Sequence, residues 1–132
     1  MTENLTGSWR GVFSYPDDLK PVAFEAELRE HGGHFSGVIH EVDDDGRGLM
    51  HFTAIVEGIR HGREMDFRKT YDDMPAICIV DYVGSLDPDG QQVTGEWVRL
   101  NDLASGSFAM QRQRKLTARA VRKLEAQVPL DR

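Results

Sequence analysis

Residues 22–42 read VAFEAELREHGGHFSGVIHEV, two runs of alternating apolar and polar side chains on either side of Gly32-Gly33. Strict alternation marks a strand with one buried face, and a glycine pair between two such runs marks a two-residue hairpin turn. A tight turn also fixes which residues stand opposite one another. Here it sets Phe24 against Glu41, Ala26 against Ile39 and Leu28 against Gly37, so the two strands bury a common face.

The same rhythm extends in both directions. Pro16-Asp17-Asp18, Asp43-Asp44-Asp45-Gly46, His61-Gly62, Asp72-Asp73-Met74-Pro75, Asp87-Pro88-Asp89-Gly90 and Asn101-Asp102 punctuate the chain. Together with Gly32-Gly33 they predict eight strands, near 6–15, 22–31, 34–42, 49–60, 63–71, 76–86, 91–100 and 105–114. Links this short join antiparallel neighbours, since a parallel pair needs a crossover of about a dozen residues or more. The expected fold is all-β, an eight-stranded antiparallel up-and-down meander closed into a barrel, because closure removes exposed strand edges. After Arg114 the period changes. Leu116, Ala120, Val121, Leu124 and Val128 recur at helical spacing, with Thr117 as N-cap and Pro129 beyond the end, predicting one C-terminal α-helix over about 116–128. Barrel (about 5–114) and helix are expected to form a single domain, which suits a chain of 132 residues.

Composition narrows the function classes. No stretch approaches the roughly 20 apolar residues of a membrane-spanning helix. Residues 1–5 have neither the basic start nor the apolar run of a signal peptide, so the expected location is cytoplasmic. Cys78 is the lone cysteine and can form neither an internal disulfide nor a two-thiol zinc site. Of the five histidines, His31 and His34 flank the Gly32-Gly33 turn, while His40, His51 and His61 point outward or sit in a turn. They do not converge as a metal centre requires, and no metal or other cofactor is expected. The last 21 residues carry seven basic side chains against Glu125 and Asp131, a net of +5, which leaves −11 on residues 1–111. So acidic a body repels nucleic acid over most of its surface, and none is expected as a partner. No glycine-rich phosphate loop opens a helix, and no serine has a histidine placed to activate it.

Facing can be carried around the barrel. A turn at His61-Gly62 sets Phe52 against Tyr71, Ala54 against Lys69, Val56 against Phe67 and Gly58 against Met65. The loop at 87–90 places Cys78, Val80, Tyr82 and Gly84 on one face with Val93, Gly95, Trp97 and Arg99. The first strand adds Gly7, Trp9, Gly11, Phe13 and Tyr15, and the last adds Gly106, Phe108, Met110 and Arg112. Aromatics and glycines suit the crowded inside of a small barrel. The inward set also contains Glu41, Lys69, Tyr71, Tyr82 and Arg99, polar groups that are expensive to bury unless paired or wet. Two readings remain open at this point. Glu41 pairs with Lys69 or Arg99 near a barrel mouth as a structural network, or the cluster lines a cavity and meets a ligand. On the second reading the candidate ligand site is Glu41, Lys69, Tyr71, Tyr82 and Arg99 with Phe52, Phe67 and Trp97. The opposite face of the sixth and seventh strands is also apolar, through Ile77, Ile79, Val83, Val98 and Leu100. Such a patch needs a cover, either the C-terminal helix or the interface of a homodimer.

Gly7-Ser8-Trp9 in the first strand, with Arg112 or Arg114 at the end of the last, resembles the signature of the calycins, the barrels that include lipocalins, fatty-acid-binding proteins and avidins. In those families the first-strand tryptophan lies at the closed end, and a late arginine packs over its ring in a cation–π contact joining first strand to last. The resemblance covers residues 5–114 at the level of fold. It implies a barrel with a ligand-binding habit and transfers no site. By analogy with the inward arginine and tyrosine that hold a carboxylate in fatty-acid-binding barrels, this sequence offers Lys69, Tyr71 and Arg99. The expected function is binding of a small apolar or amphipathic molecule, bearing a carboxylate or another hydrogen-bonding group, inside the barrel. The alternatives are an isomerase- or cyclase-type enzyme in which Glu41 or Tyr71 moves a proton, and a protein-interaction module without a small ligand.

Overall fold

The computed structural model describes residues 4–16, 20–44, 48–72 and 78–113. They form β1 (Gly7–Ser14), β2 (Val22–His31), β3 (His34–Asp44), β4 (Leu49–His61), β5 (Glu64–Tyr71), β6 (Ile79–Leu86), β7 (Gln92–Arg99) and β8 (Ser105–Gln113). Each strand pairs antiparallel with the next, and β8 returns to β1, so the eight-stranded meander is a closed barrel. The helix expected over 116–128 lies outside the described residues, as does Ile77.

The alternating sequence buries one side of each strand, most regularly in β2, where buried and exposed residues alternate along its whole length. Gly32 and Gly33, with φ of 58° and 85°, make the expected β2–β3 turn, and Phe24–Glu41, Ala26–Ile39 and Leu28–Gly37 are the observed partners. The β4–β5 hairpin departs from expectation. Its turn is Gly62-Arg63 rather than His61-Gly62, so Ala54 stands opposite Tyr71, Val56 opposite Lys69, Gly58 opposite Phe67 and Arg60 opposite Met65. Gly62, at φ 60°, takes the first turn position, where the twist of a hairpin calls for a positive φ. Because side chains repeat every two residues, this slip of two leaves each one on its expected face. Gly58 then serves packing, since a Cβ there would lie 2.4 Å from Phe67 Cβ and 2.6 Å from Phe35 Cζ.

Along its axis the interior divides into a plugged end, an aromatic floor and a mouth. At the plugged end Arg112 faces Trp9 across the β1–β8 seam, its Cζ 4.5 Å from the ring centroid. Its guanidinium also donates to the main-chain oxygens of Asn4 at 2.7 Å, Thr6 at 2.9 Å and Gly90 at 3.0 Å. Of the two arginines expected for this contact, Arg112 makes it, and Arg114 lies outside the described residues. Leu5 is fully buried, and its carbonyl accepts from Trp9 Nε1 at 2.9 Å. Glu30 closes the same end. It accepts from Arg60 Nε and Nη2, each at 2.6 Å, and from the Leu5 amide at 3.1 Å. The floor is the parallel stack of Phe67 and Tyr82, centroids 4.7 Å apart, with Phe108 edge-on to both.

On the outside of β6 and β7, Val83 is 62% exposed, while Ile79 and Val98 are half-buried. Leu100, just beyond β7, is exposed.

Candidate functional site

Beyond the floor the barrel mouth holds a cavity of about 140 Å³, lined by Phe13, Tyr15, Glu41, Phe52, Lys69, Tyr71, Cys78, Val80, Tyr82, Trp97 and Arg99. Seven of the eight candidate site residues therefore meet there. The eighth, Phe67, lies one inward step along β5 from Lys69 and supports Tyr82 from the floor.

Glu41 and Lys69 project from β3 and β5, two strands apart, and both are almost completely buried. Between them β4 presents Ala54, the register partner of Ile39 and of Tyr71, whose small side chain leaves room for the longer two to meet. Lys69 Nζ donates to Glu41 Oε2, and Tyr71 Oη donates to Oε1 at 2.6 Å. Three aromatic faces also lie close to the ammonium. The centroid of Phe13 lies 4.5 Å from Nζ, that of Tyr71 4.7 Å and that of Tyr82 5.2 Å. Ring faces attract a cation but hydrate it far less well than water. Burial accordingly lowers the Lys69 pKa from its ordinary value, and the Glu41 carboxylate opposes that fall. Burial and then the Glu41 charge raise the Tyr71 pKa, and the same two causes raise that of Tyr82, so both phenols stay protonated.

Arg99 takes the other course. It sits at the rim, where Nε and Nη2 donate to the two carboxylate oxygens of Asp102 at 3.0 and 3.1 Å and Nη1 donates to Tyr15 Oη at 3.4 Å. Of the two partners considered for Glu41, the structure selects Lys69. No protein-family model and no curated protein matches the chain.

Trp97 forms part of the cavity wall. Its Nε1 donates to the carbonyls of Ser14 and Ser107, each at 3.2 Å. The ring can lie this close to β8 because position 106 is glycine, where a Cβ would fall 2.8 Å from two indole atoms. Among the described residues no buried side-chain nitrogen or oxygen lacks a partner, and no group of three or more His, Cys, Asp or Glu side chains could hold a metal ion.

Sequence reasoning missed Glu30 and Arg60. Both lie on the inward parity of their strands, continuing Phe24-Ala26-Leu28 and Ala54-Val56-Gly58, so the signal was present in the alternation. A wider depression of about 560 Å³ runs over the outside of β3 to β6. Arg68 Nε pairs there with Asp81 Oδ1 at 2.8 Å, Glu57, Asp66 and Arg68 are exposed and Asp81 is half-buried, so it offers no fully desolvated charged group to a ligand.

Proposed function

We propose that the mouth of this barrel, built in the manner of a calycin, binds a small and largely apolar molecule of about one aromatic ring that carries a neutral hydrogen-bonding group. The observation that carries the reading is the cavity of about 140 Å³, walled by aromatic rings and containing a charge-balanced Glu41–Lys69–Tyr71 cluster. Size argues against a long acyl chain. An apolar cavity of about 150 Å³ accommodates benzene, whereas sites for drug-sized ligands run from roughly 300 to 1,000 Å³. Charge argues against a carboxylate, the group first considered for this site. Glu41 neutralises Lys69 and Asp102 neutralises Arg99, so an anionic ligand would be buried without an uncommitted cation to meet it. The tryptophan–arginine contact at the plugged end supports kinship with the calycins, and the cavity lies at the opposite end.

Saturation-transfer NMR with phenol, benzyl alcohol and benzoate tests the reading. The two neutral probes are expected to bind with dissociation constants in roughly the micromolar to millimolar range that so few atoms allow. Benzoate should bind more weakly than either. Val80 lines the cavity, and Val80→Phe should abolish the signal by filling it. Equal transfer to wild type and Val80→Phe, or a preference for benzoate, would overturn the proposal.

A further inference from the structure

Resting on that reading of the cavity, we propose that Lys69 is an amine nucleophile that condenses with a small aldehyde or ketone in the barrel mouth to give a protonated imine. The amine forms part of the cavity wall, and Glu41 is its one oxygen partner among the described residues. Nζ also lies 4.5, 4.7 and 5.2 Å from the ring centroids of Phe13, Tyr71 and Tyr82, faces that do not compete for the nitrogen lone pair once the proton has left. A desolvated lysine beside a proton acceptor is the arrangement that activates an amine for attack on a carbonyl. Burial weakens the hold of the ammonium on its proton, in keeping with this role.

The ligand class follows from charge conservation. Glu41 takes a proton from the ammonium, and the neutral nitrogen forms a bond to the carbonyl carbon as the C=O π pair moves onto oxygen. A proton then passes from nitrogen to that oxygen, giving a carbinolamine. Glu41 next protonates the hydroxyl, the C–O bond breaks, water leaves, and the nitrogen lone pair completes the C=N bond. The product is an iminium cation beside a carboxylate, the same charges in the same place as at the start. It needs no oxidant, reductant or new buried charge, and the three ring faces that held the ammonium hold the iminium.

Benzaldehyde with cyanoborohydride at neutral pH tests the step, read by peptide mass mapping of the benzyl-labelled wild-type protein. Labelling at Lys69 is expected to exceed that at exposed Lys20 by on the order of tenfold, the mark of an amine that desolvation has made easier to deprotonate. Benzyl alcohol, which enters the same cavity but forms no imine, should suppress it. Glu41→Gln keeps an acceptor for Tyr71 but removes the base, and should slow labelling by about 100-fold in a variant shown to be folded by circular dichroism. Labelling confined to Lys20, Lys115, Lys123 and the N-terminus while benzyl alcohol still binds would overturn the imine and leave the binding site standing. Absence of both would overturn the two together.

Discussion

Burying an ammonium and a carboxylate costs several kcal/mol each, approximately, and the mutual attraction of the pair offsets that cost only while both are present. Lys69 and Glu41 are in that position, with Tyr71 as the third member. Lys69→Met is therefore expected to destabilise the barrel by about 3–5 kcal/mol, because it strands a buried carboxylate. The double variant Glu41→Gln/Lys69→Met removes both charges, keeps an acceptor for Tyr71, and should recover most of the loss. Urea denaturation of wild type, both singles and the double measures the coupling, and equal destabilisation by single and double variants would show that the pair is not coupled. The inward position of both residues was legible from strand parity alone, but the partner of Arg99 was not. Asp102 follows three residues later in the turn after β7, and that local carboxylate captures the guanidinium before it can reach Glu41.

At the scale of elements, the turns carried more information than the strand boundaries. Gly32-Gly33 admits one tight hairpin, because both glycines take positive φ. His61-Gly62-Arg63 is ambiguous in sequence, since a single glycine can be the first or the second turn position, and the wrong choice shifts the register by two. Side-chain facing survives that error but pairing does not, which is why the inward set was right while Tyr71 was matched with Phe52 instead of Ala54. The same contrast separates two glycine substitutions. Gly62→Ala meets no neighbouring atom and is strained only by its φ of 60°, so it should cost about 1–2 kcal/mol. Gly58→Ala would drive its methyl to within 2.4 Å of the Asp66 carbonyl oxygen, so β4 and β5 must part or Phe67 must move. Its loss of thermal stability should clearly exceed that of Gly62→Ala, and equal shifts in melting temperature would contradict this packing account.

At the scale of the whole molecule the two ends of the barrel divide structure from chemistry. The mouth keeps a cavity, whereas the other end is closed by side chains that bind one another and the start of the chain. Glu30 is central to that closure because it joins β2 to Arg60 on β4 and to the amide of Leu5. The hydrogen bonds from Arg60 lower the Glu30 pKa from the ordinary value of 4.5, more than burial raises it, and the Leu5 amide adds to the fall. A carboxylate whose folded pKa lies below its unfolded one contributes stability above the unfolded value. That contribution is lost as the pH falls through the folded value. Asp87 and Asp102 are lowered as well, so the acid limb of the wild-type curve is shared among them, and Glu30 must be isolated by difference. Glu30→Gln is expected to cost about 2 kcal/mol at neutral pH, the scale of hydrogen bonds to a charged group. The gap between wild type and variant should stay constant down to about pH 4.5 and narrow steadily below it, as protonation makes the wild-type side chain resemble the amide. Denaturation midpoints of both proteins across the acid range measure the gap. A difference that stays flat throughout would mean that the charge of Glu30 plays no part in holding this end closed.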